Sequence, residues 1–199
     1  MSDTVLDLIR HGEPVGGRAF RGHGIDDPLS DKGWRQMWDA VGDECHWDVI
    51  VSSPLQRCRA FAEQLGKRHS LPVHIDEKLR EVGFGEWEGR TPDELQRDRR
   101  AEYDAFYFDP VNNRPTGAES LHDFGDRIAA AIDDALFVHA TRRVLMVAHA
   151  GVIRAALGYV MRSAPANWYR CRVNNASLTR FRATPHGLQL EFHNRPSLR

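Results

Sequence analysis

The chain has 199 residues, enough for one domain that buries a core without disulfide support. Hydrophobic residues make up 41% and charged residues 28%, and 27 basic against 28 acidic residues leave a formal net charge of −1. That balance excludes a disordered chain, and it excludes a global positive charge drawing the protein to nucleic acid or an anionic membrane surface. Three cysteines, Cys45, Cys58 and Cys171, form no C-x-x-C pair, which predicts reduced thiols and a cytoplasmic location. The opening MSDTVLDLIRHGEP has a short apolar stretch interrupted by Asp7, so neither signal peptide nor anchor is expected. No apolar run approaches the ~18 residues of a membrane span.

Thr4–Ile9 alternates and is rich in β-formers, predicting a strand that ends in a glycine-containing turn. A helix is expected from Ser30 to about Glu44. The apolar run Asp48–Ser52 has the character of a buried parallel strand. Ser53-Pro54-Leu55-Gln56 has the pattern of a capping box with proline at the first helical position, opening a helix to about His69. Pro72–Ile75 is a weaker strand. Thr91-Pro92-Asp93-Glu94 repeats the capping device for a helix near 92–105. Leu121, Phe124, Ile128, Ile132 and Leu136 recur every three or four residues and predict an amphipathic helix over 119–139. Arg143–Ala148 is another buried strand, and a helix is expected after it over Gly151–Met161. Ser177–Ala183 and Leu188–His193 flank Thr184-Pro185-His186-Gly187 as a hairpin. This alternation predicts a three-layer α/β/α sandwich with a mostly parallel sheet, one domain over 1–199. In such sheets ligands gather at the carboxyl ends of the strands, near helix N-termini.

The residues just past each strand carry the chemistry. Arg10-His11-Gly12-Glu13 comes after the first strand; Ser53-Pro54, with Arg57 one turn on, comes after the second. His149-Ala150-Gly151 succeeds Arg143–Ala148 and opens a helix. Two arginines and two histidines thus meet at the ligand-binding edge. Arginine forks fit tetrahedral oxyanions, and a helix N-terminus adds free N–H groups and positive dipole. The pattern describes an anion pocket, most naturally for phosphate.

Leu8-Ile9-Arg10-His11-Gly12-Glu13 resembles the signature of the histidine phosphatase (phosphoglycerate mutase-like) superfamily. Ser52-Ser53-Pro54-Leu55-Gln56-Arg57, Leu79-Arg80-Glu81 and Val147-Ala148-His149-Ala150-Gly151 resemble its further motifs, in order. Residues 22–30, 84–89 and 115–120 are similar to the small-phosphatase branch that includes α-ribazole phosphatase. The resemblance implies a phosphomonoesterase acting through phosphohistidine on a small phosphorylated metabolite, α-ribazole 5′-phosphate or a broader set. It implies His11 as nucleophile and Glu81 as proton donor and then base. It further implies Arg10, Arg57, His149 and the backbone of Ala150 as phosphate clamps. Gly17, Arg21, His23 and Gly24 are candidate substrate contacts. Gly17 stands where many relatives carry Asn, leaving open one phosphate contact, for which a backbone N–H is a replacement. No cofactor is implied.

Other readings are narrower. No H-E-x-x-H or zinc-like Cys-His spacing occurs, so no metal site is expected despite ten histidines. There is no G-x-x-x-x-G-K-[ST] loop, no Cys-x5-Arg, no D-x-D and no G-x-S-x-G. Glu86 and Glu88 compete locally with Glu81. Residues 91–118 hold a candidate specificity lid. Within them 99–115, with Tyr103, Phe106, Tyr107 and Arg114, fits either a lid or a cap packed on the core. The rival enzyme is a phosphoglycerate mutase-type transferase, against which the short interval from Glu81 to His149 stands. The rival outside enzymes is an inert phosphoryl-binding module, which would be expected to lack His11 or Glu81.

Overall fold

A computed structural model of the protein describes residues 3–198. Six strands form one sheet in the order β3-β2-β4-β1-β5-β6: β1 (Val5–Arg10), β2 (Val49–Ser52), β3 (Val73–Ile75), β4 (Arg143–Ala148), β5 (Leu178–Thr184) and β6 (Gly187–Arg195). The first four in space, β3, β2, β4 and β1, are parallel, while β5 pairs antiparallel with β1 and with β6. The terminal hairpin therefore extends the parallel sheet at one edge.

Both faces are covered, as the apolar runs of β2 and β4 require. Leu6, Leu8, Val144 and Met146 meet α5 (Leu121–Val138) and α6 (Ala150–Met161) through Phe124, Ile128, Ile132 and Val152. On the other face Ile9, Ile50, Leu145 and Val147 meet α1 (Asp31–Val41) and α2 (Gln56–His69) through Met37, Ala40, Phe61 and Leu65. The result is the expected α/β/α sandwich. Asp7 interrupts the apolar run of β1, fully buried, because Arg180 grips its carboxylate from two nitrogens (2.7 and 2.8 Å) and Trp47 Nε1 donates at 2.8 Å. A buried charge is tolerated when it is paired and hydrogen-bonded to this degree.

Two of the expected helix caps form as the sequence predicts. Ser30 accepts from Gly33 N at 3.0 Å and starts α1. Thr91 and Glu94 close a reciprocal capping box on α3 (Pro92–Asp98). Two expectations need correction. The helix expected near 92–105 is two helices, because the backbone breaks at Arg99 before α4 (Arg100–Phe108). Ser53 does not cap α2, which starts at Gln56 behind Leu55 with no side-chain cap. Ser53 N–H instead donates to Val147 O at 3.0 Å, and its hydroxyl meets His149. No helix among the described residues is long and apolar enough to cross a membrane.

Candidate active site

The carboxyl ends of β1, β2 and β4 lie side by side. His11 continues the pairing of β1, its N–H donating to Ala148 O at 2.9 Å. Gly12 then passes so close to α1 that a Cβ there would stand 2.2 Å from Gly33 O. The side chain of His11 is thereby held over the strand ends. Its Nδ1 lies 2.7 Å from the Gly12 carbonyl, so Nδ1 carries the proton and Nε2 the lone pair. Burial, reinforced by the positive charges of Arg10 and Arg57, holds the His11 pKa well below the ordinary histidine value. At neutral pH the ring is therefore neutral, with a free lone pair on Nε2.

A cavity of about 590 Å³ opens beside His11, lined among others by Arg10, Arg57, Glu81 and Ala150. Arg57 is almost fully buried, with its terminal nitrogens donating to Ile25 O (2.9 Å) and Gly22 O (2.8 Å). Arg10 donates to Val173 O at 2.7 Å. In both guanidinium groups the buried Nε–H has no partner among the described residues. Burial lowers the Arg10 pKa to about 10, against the opposing charge of Glu81 and with help from Arg154, Arg57 and Arg18. Arg10 thus remains cationic at neutral pH.

Glu81 lies on the loop after a short 3-10 turn, Glu77–Leu79. Its carboxylate accepts from Val82 N at 3.0 Å and from Gly151 N, in the first turn of α6, at 3.2 Å. A Cβ on Gly151 would come within 2.2 Å of Glu81 Oε1, so this approach requires glycine. The loop is clamped from α5: Arg127 donates to the carbonyls of Lys78 (2.5 Å), Arg80 (2.8 Å) and Glu81 (3.2 Å). Arg127 is fixed in turn by Glu119 (2.7 and 2.9 Å), which also accepts from Gly83 N. Glu86 and Glu88 are engaged elsewhere, Glu86 with Arg99 and Glu88 with the amides of Gly24 and Phe84.

Other expected site residues fall differently. His149 is fully buried and absent from the cavity lining, its ring 5.2 Å from that of His11 and its Nε2 2.7 Å from Ser53 Oγ. Burial, then Arg57, His11 and Arg10, holds its pKa well below the usual value. It is a neutral neighbour of His11 rather than a cation on the wall. Gly17 lines the cavity at φ +70°, but its N–H donates to Pro14 O at 3.1 Å and cannot replace a missing Asn contact. Arg21 also lines it, yet its guanidinium binds Asp27 and the carbonyls of Gly17 and Val15, organising the loop. His23 and Gly24 fall outside the lining; His23 Nδ1 lies 3.1 Å from Glu81 O. Of residues 91–118 only Pro92 and Tyr107 line the cavity, while Phe106 is fully buried against Phe84, Trp87 and Tyr169. Phe106 thus packs on the core, whereas Phe108 on the same helix is exposed. No cluster of three or more His, Cys, Asp and Glu able to hold a metal ion occurs among the described residues.

The sequence reading missed Arg18, Arg154, Tyr169 and Arg172, all in the cavity wall. Arg154 was within reach: it lies four residues after Ala150 on one helix, hence on the same face. Arg18 and Arg172 come from irregular segments and Tyr169 from a short 3-10 helix, Pro165–Arg170, none with a periodic signal.

The strand ends, Arg10, the buried Arg57 and the carboxylate at a helix N-terminus meet at one cavity on the edge of a doubly covered α/β sheet. The profile of the histidine phosphatase superfamily (branch 1) matches residues 6–196, and the chain belongs to that family. A bifunctional protein of Mycobacterium tuberculosis is 31% identical over 180 residues, which cover 88% of this chain and 49% of that protein. The chain thus spans about half the length of that curated relative. The glucosyl-3-phosphoglycerate phosphatase of Mycolicibacterium vanbaalenii is 32% identical over 174 residues, covering 82% of this chain and 76% of the relative. The crystal structure of the α-ribazole phosphatase from Shigella flexneri superposes with a TM-score of 0.82 at 25% identity, covering 98% of each chain.

Proposed function

We propose that the protein is a phosphomonoesterase that works through phosphohistidine on small phosphorylated metabolites. The observation that carries this reading is the pair of buried, partnerless Nε–H groups of Arg10 and Arg57 beside a neutral His11. Buried donors are nearly always satisfied, so two orphans beside one cavity call for an acceptor-rich anion. His11 Nε2 attacks phosphorus as the ester P–O bond breaks, and Glu81 gives its proton to the leaving oxygen. Water then attacks the phosphorus of phosphohistidine; Glu81 takes the water proton, the P–N bond breaks and its electron pair returns to Nε2. Arg10, Arg57 and the positive N-terminal end of α6 stabilise charge on the transferring group. Ala150 N is a donor at that helix start. His149 positions the nucleophile's surroundings without itself being on the wall.

Family membership supports this chemistry, and the names of the Shigella and Mycolicibacterium relatives nominate α-ribazole 5′-phosphate and glucosyl-3-phosphoglycerate as substrates to try. The test is p-nitrophenyl phosphate with a rapid quench. We expect phosphate release and an acid-labile label on His11, and a His11→Ala protein should lose turnover by at least about 10⁴-fold. Turnover of His11→Ala at the wild-type rate overturns the mechanism. Conversion of 3-phosphoglycerate to 2-phosphoglycerate without free phosphate would make the protein a mutase.

A further inference from the structure

The cavity holds more positive charge than one phosphate needs. Six arginines line it, Arg10, Arg18, Arg21, Arg57, Arg154 and Arg172, against two glutamates, in a chain whose formal net charge is −1. One glutamate is Glu81; the other, Glu13, is paired with Lys32 at 2.9 Å. Arg10 and Arg57 form the phosphate end, and Arg21 is tied to Asp27. Arg18, Arg154 and Arg172 remain. None of the three has a carboxylate within ion-pair distance among the described residues, whereas most arginines elsewhere on this surface do.

Arg154 is the best placed. It sits four residues into α6 from Ala150, about 6 Å along the axis. Helical side chains lean toward the N-terminus, so a long one at this position reaches back to the cavity mouth. Its Nε donates to Cys171 O at 2.9 Å and its guanidinium lies 5.3 Å from the centre of the Tyr169 ring. These contacts fix the stem and leave both terminal NH2 groups for a ligand. Arg172 is held by Asn174 Oδ1 at 3.0 Å through Nε alone. Its neighbours Asn174 and Asn175 add neutral polar groups to the same wall. The charges of Arg154 and Arg18 are felt at Arg10, so these two lie near the phosphate end, and Arg172 lines the same cavity.

Resting on the phosphomonoesterase reading, we propose that the site selects substrates with a second anionic group, a carboxylate or another phosphate, bound by Arg154 and Arg172 with Arg18 beside them. Esters of neutral alcohols then bind without using half of the cavity's charge. A hydrogen bond to a charged group is worth about tenfold to a hundredfold in affinity, and exposed Arg172 belongs at the lower end.

The test compares matched pairs by free phosphate release. In 3-phosphoglycerate a carboxylate replaces the neutral hydroxymethyl group of glycerol 3-phosphate. Glucose 1,6-bisphosphate against glucose 6-phosphate asks the same of a second phosphate. We expect kcat/KM to favour the doubly anionic member by at least about tenfold in one pair, which also tells carboxylate from phosphate. Arg172→Gln and Arg154→Gln should each shrink that ratio toward one. Arg172 is exposed and anchors only Asn174, so its variant keeps the test valid if Arg154→Gln misfolds. Ratios near one in both pairs, in an enzyme active on p-nitrophenyl phosphate, overturn the proposal. So does a preference that survives both substitutions. Inactivity toward p-nitrophenyl phosphate as well would instead strike the phosphomonoesterase reading, and this inference with it.

Discussion

At the His11 end of the cavity Arg57 is buried, Arg10 half-buried, and the geometry of both is imposed. Arg57 has both terminal nitrogens fixed on the carbonyls of Gly22 and Ile25, and Arg10 is fixed on Val173. Among the remaining cavity cations Arg154 is half-buried and Arg18 and Arg172 are open to solvent. The difference matches two tasks. Charge that develops during phosphoryl transfer is best met by donors that do not reorganise, in a site of low dielectric. Recognition of a group that keeps its charge throughout binding tolerates mobile, screened arginines, which act on the ground and transition states alike. The His11 end should therefore govern kcat, and the arginine wall KM and substrate choice.

The largest effect should come from Glu81. In Glu81→Gln, single-turnover phosphorylation of His11 by an alkyl phosphate should slow by about 10²–10⁴-fold, and by far less with p-nitrophenyl phosphate, whose leaving group needs no proton. Gly151→Ala should act the same way, since the added Cβ would displace the carboxylate. Equal losses on both substrates would remove Glu81 from the acid role.

Next in size is Arg57. Arg57→Ala should lower kcat by roughly 10²–10³-fold with a small change in KM. A rise in KM alone would erase the distinction drawn between the two ends.

The smallest effect concerns the buried rings. Both His11 and His149 have folded-state pKa values depressed below the unfolded value. Below about pH 6.5 the unfolded chain binds protons that the folded one refuses. The stability they contribute is full above that pH and falls as pH drops from there toward the folded values. The loss is about 1.4 kcal/mol per pH unit for each ring. Thermal unfolding between about pH 7.5 and about pH 5 should show this decline, and His149→Gln should reduce its slope. A flat profile would mean that the rings are not desolvated neutral groups.

Much of this was legible from sequence because the signals are local. Two-residue alternation, three-to-four-residue periodicity and capping pairs such as Thr91–Glu94 located the strands and helices, and alternating elements imply a parallel sheet. The rule that ligands gather at strand ends then singled out Arg10, His11, Arg57 and His149 from their order in the chain. Tertiary structure decided what long-range partners decide. Ser53 has the sequence of a helix cap but faces His149 from 96 positions away. Arg21 was expected at the substrate and is consumed by its own loop. Arg127 reaches the Glu81 loop across 46 positions. Arg18, Arg154 and Arg172 are scattered along the chain and share one cavity only when the loop after β1, α6 and the segment before β5 converge. Side-chain periodicity reports which face of an element is buried, not which distant polar group that face will meet, and the arginine wall is made entirely of such meetings.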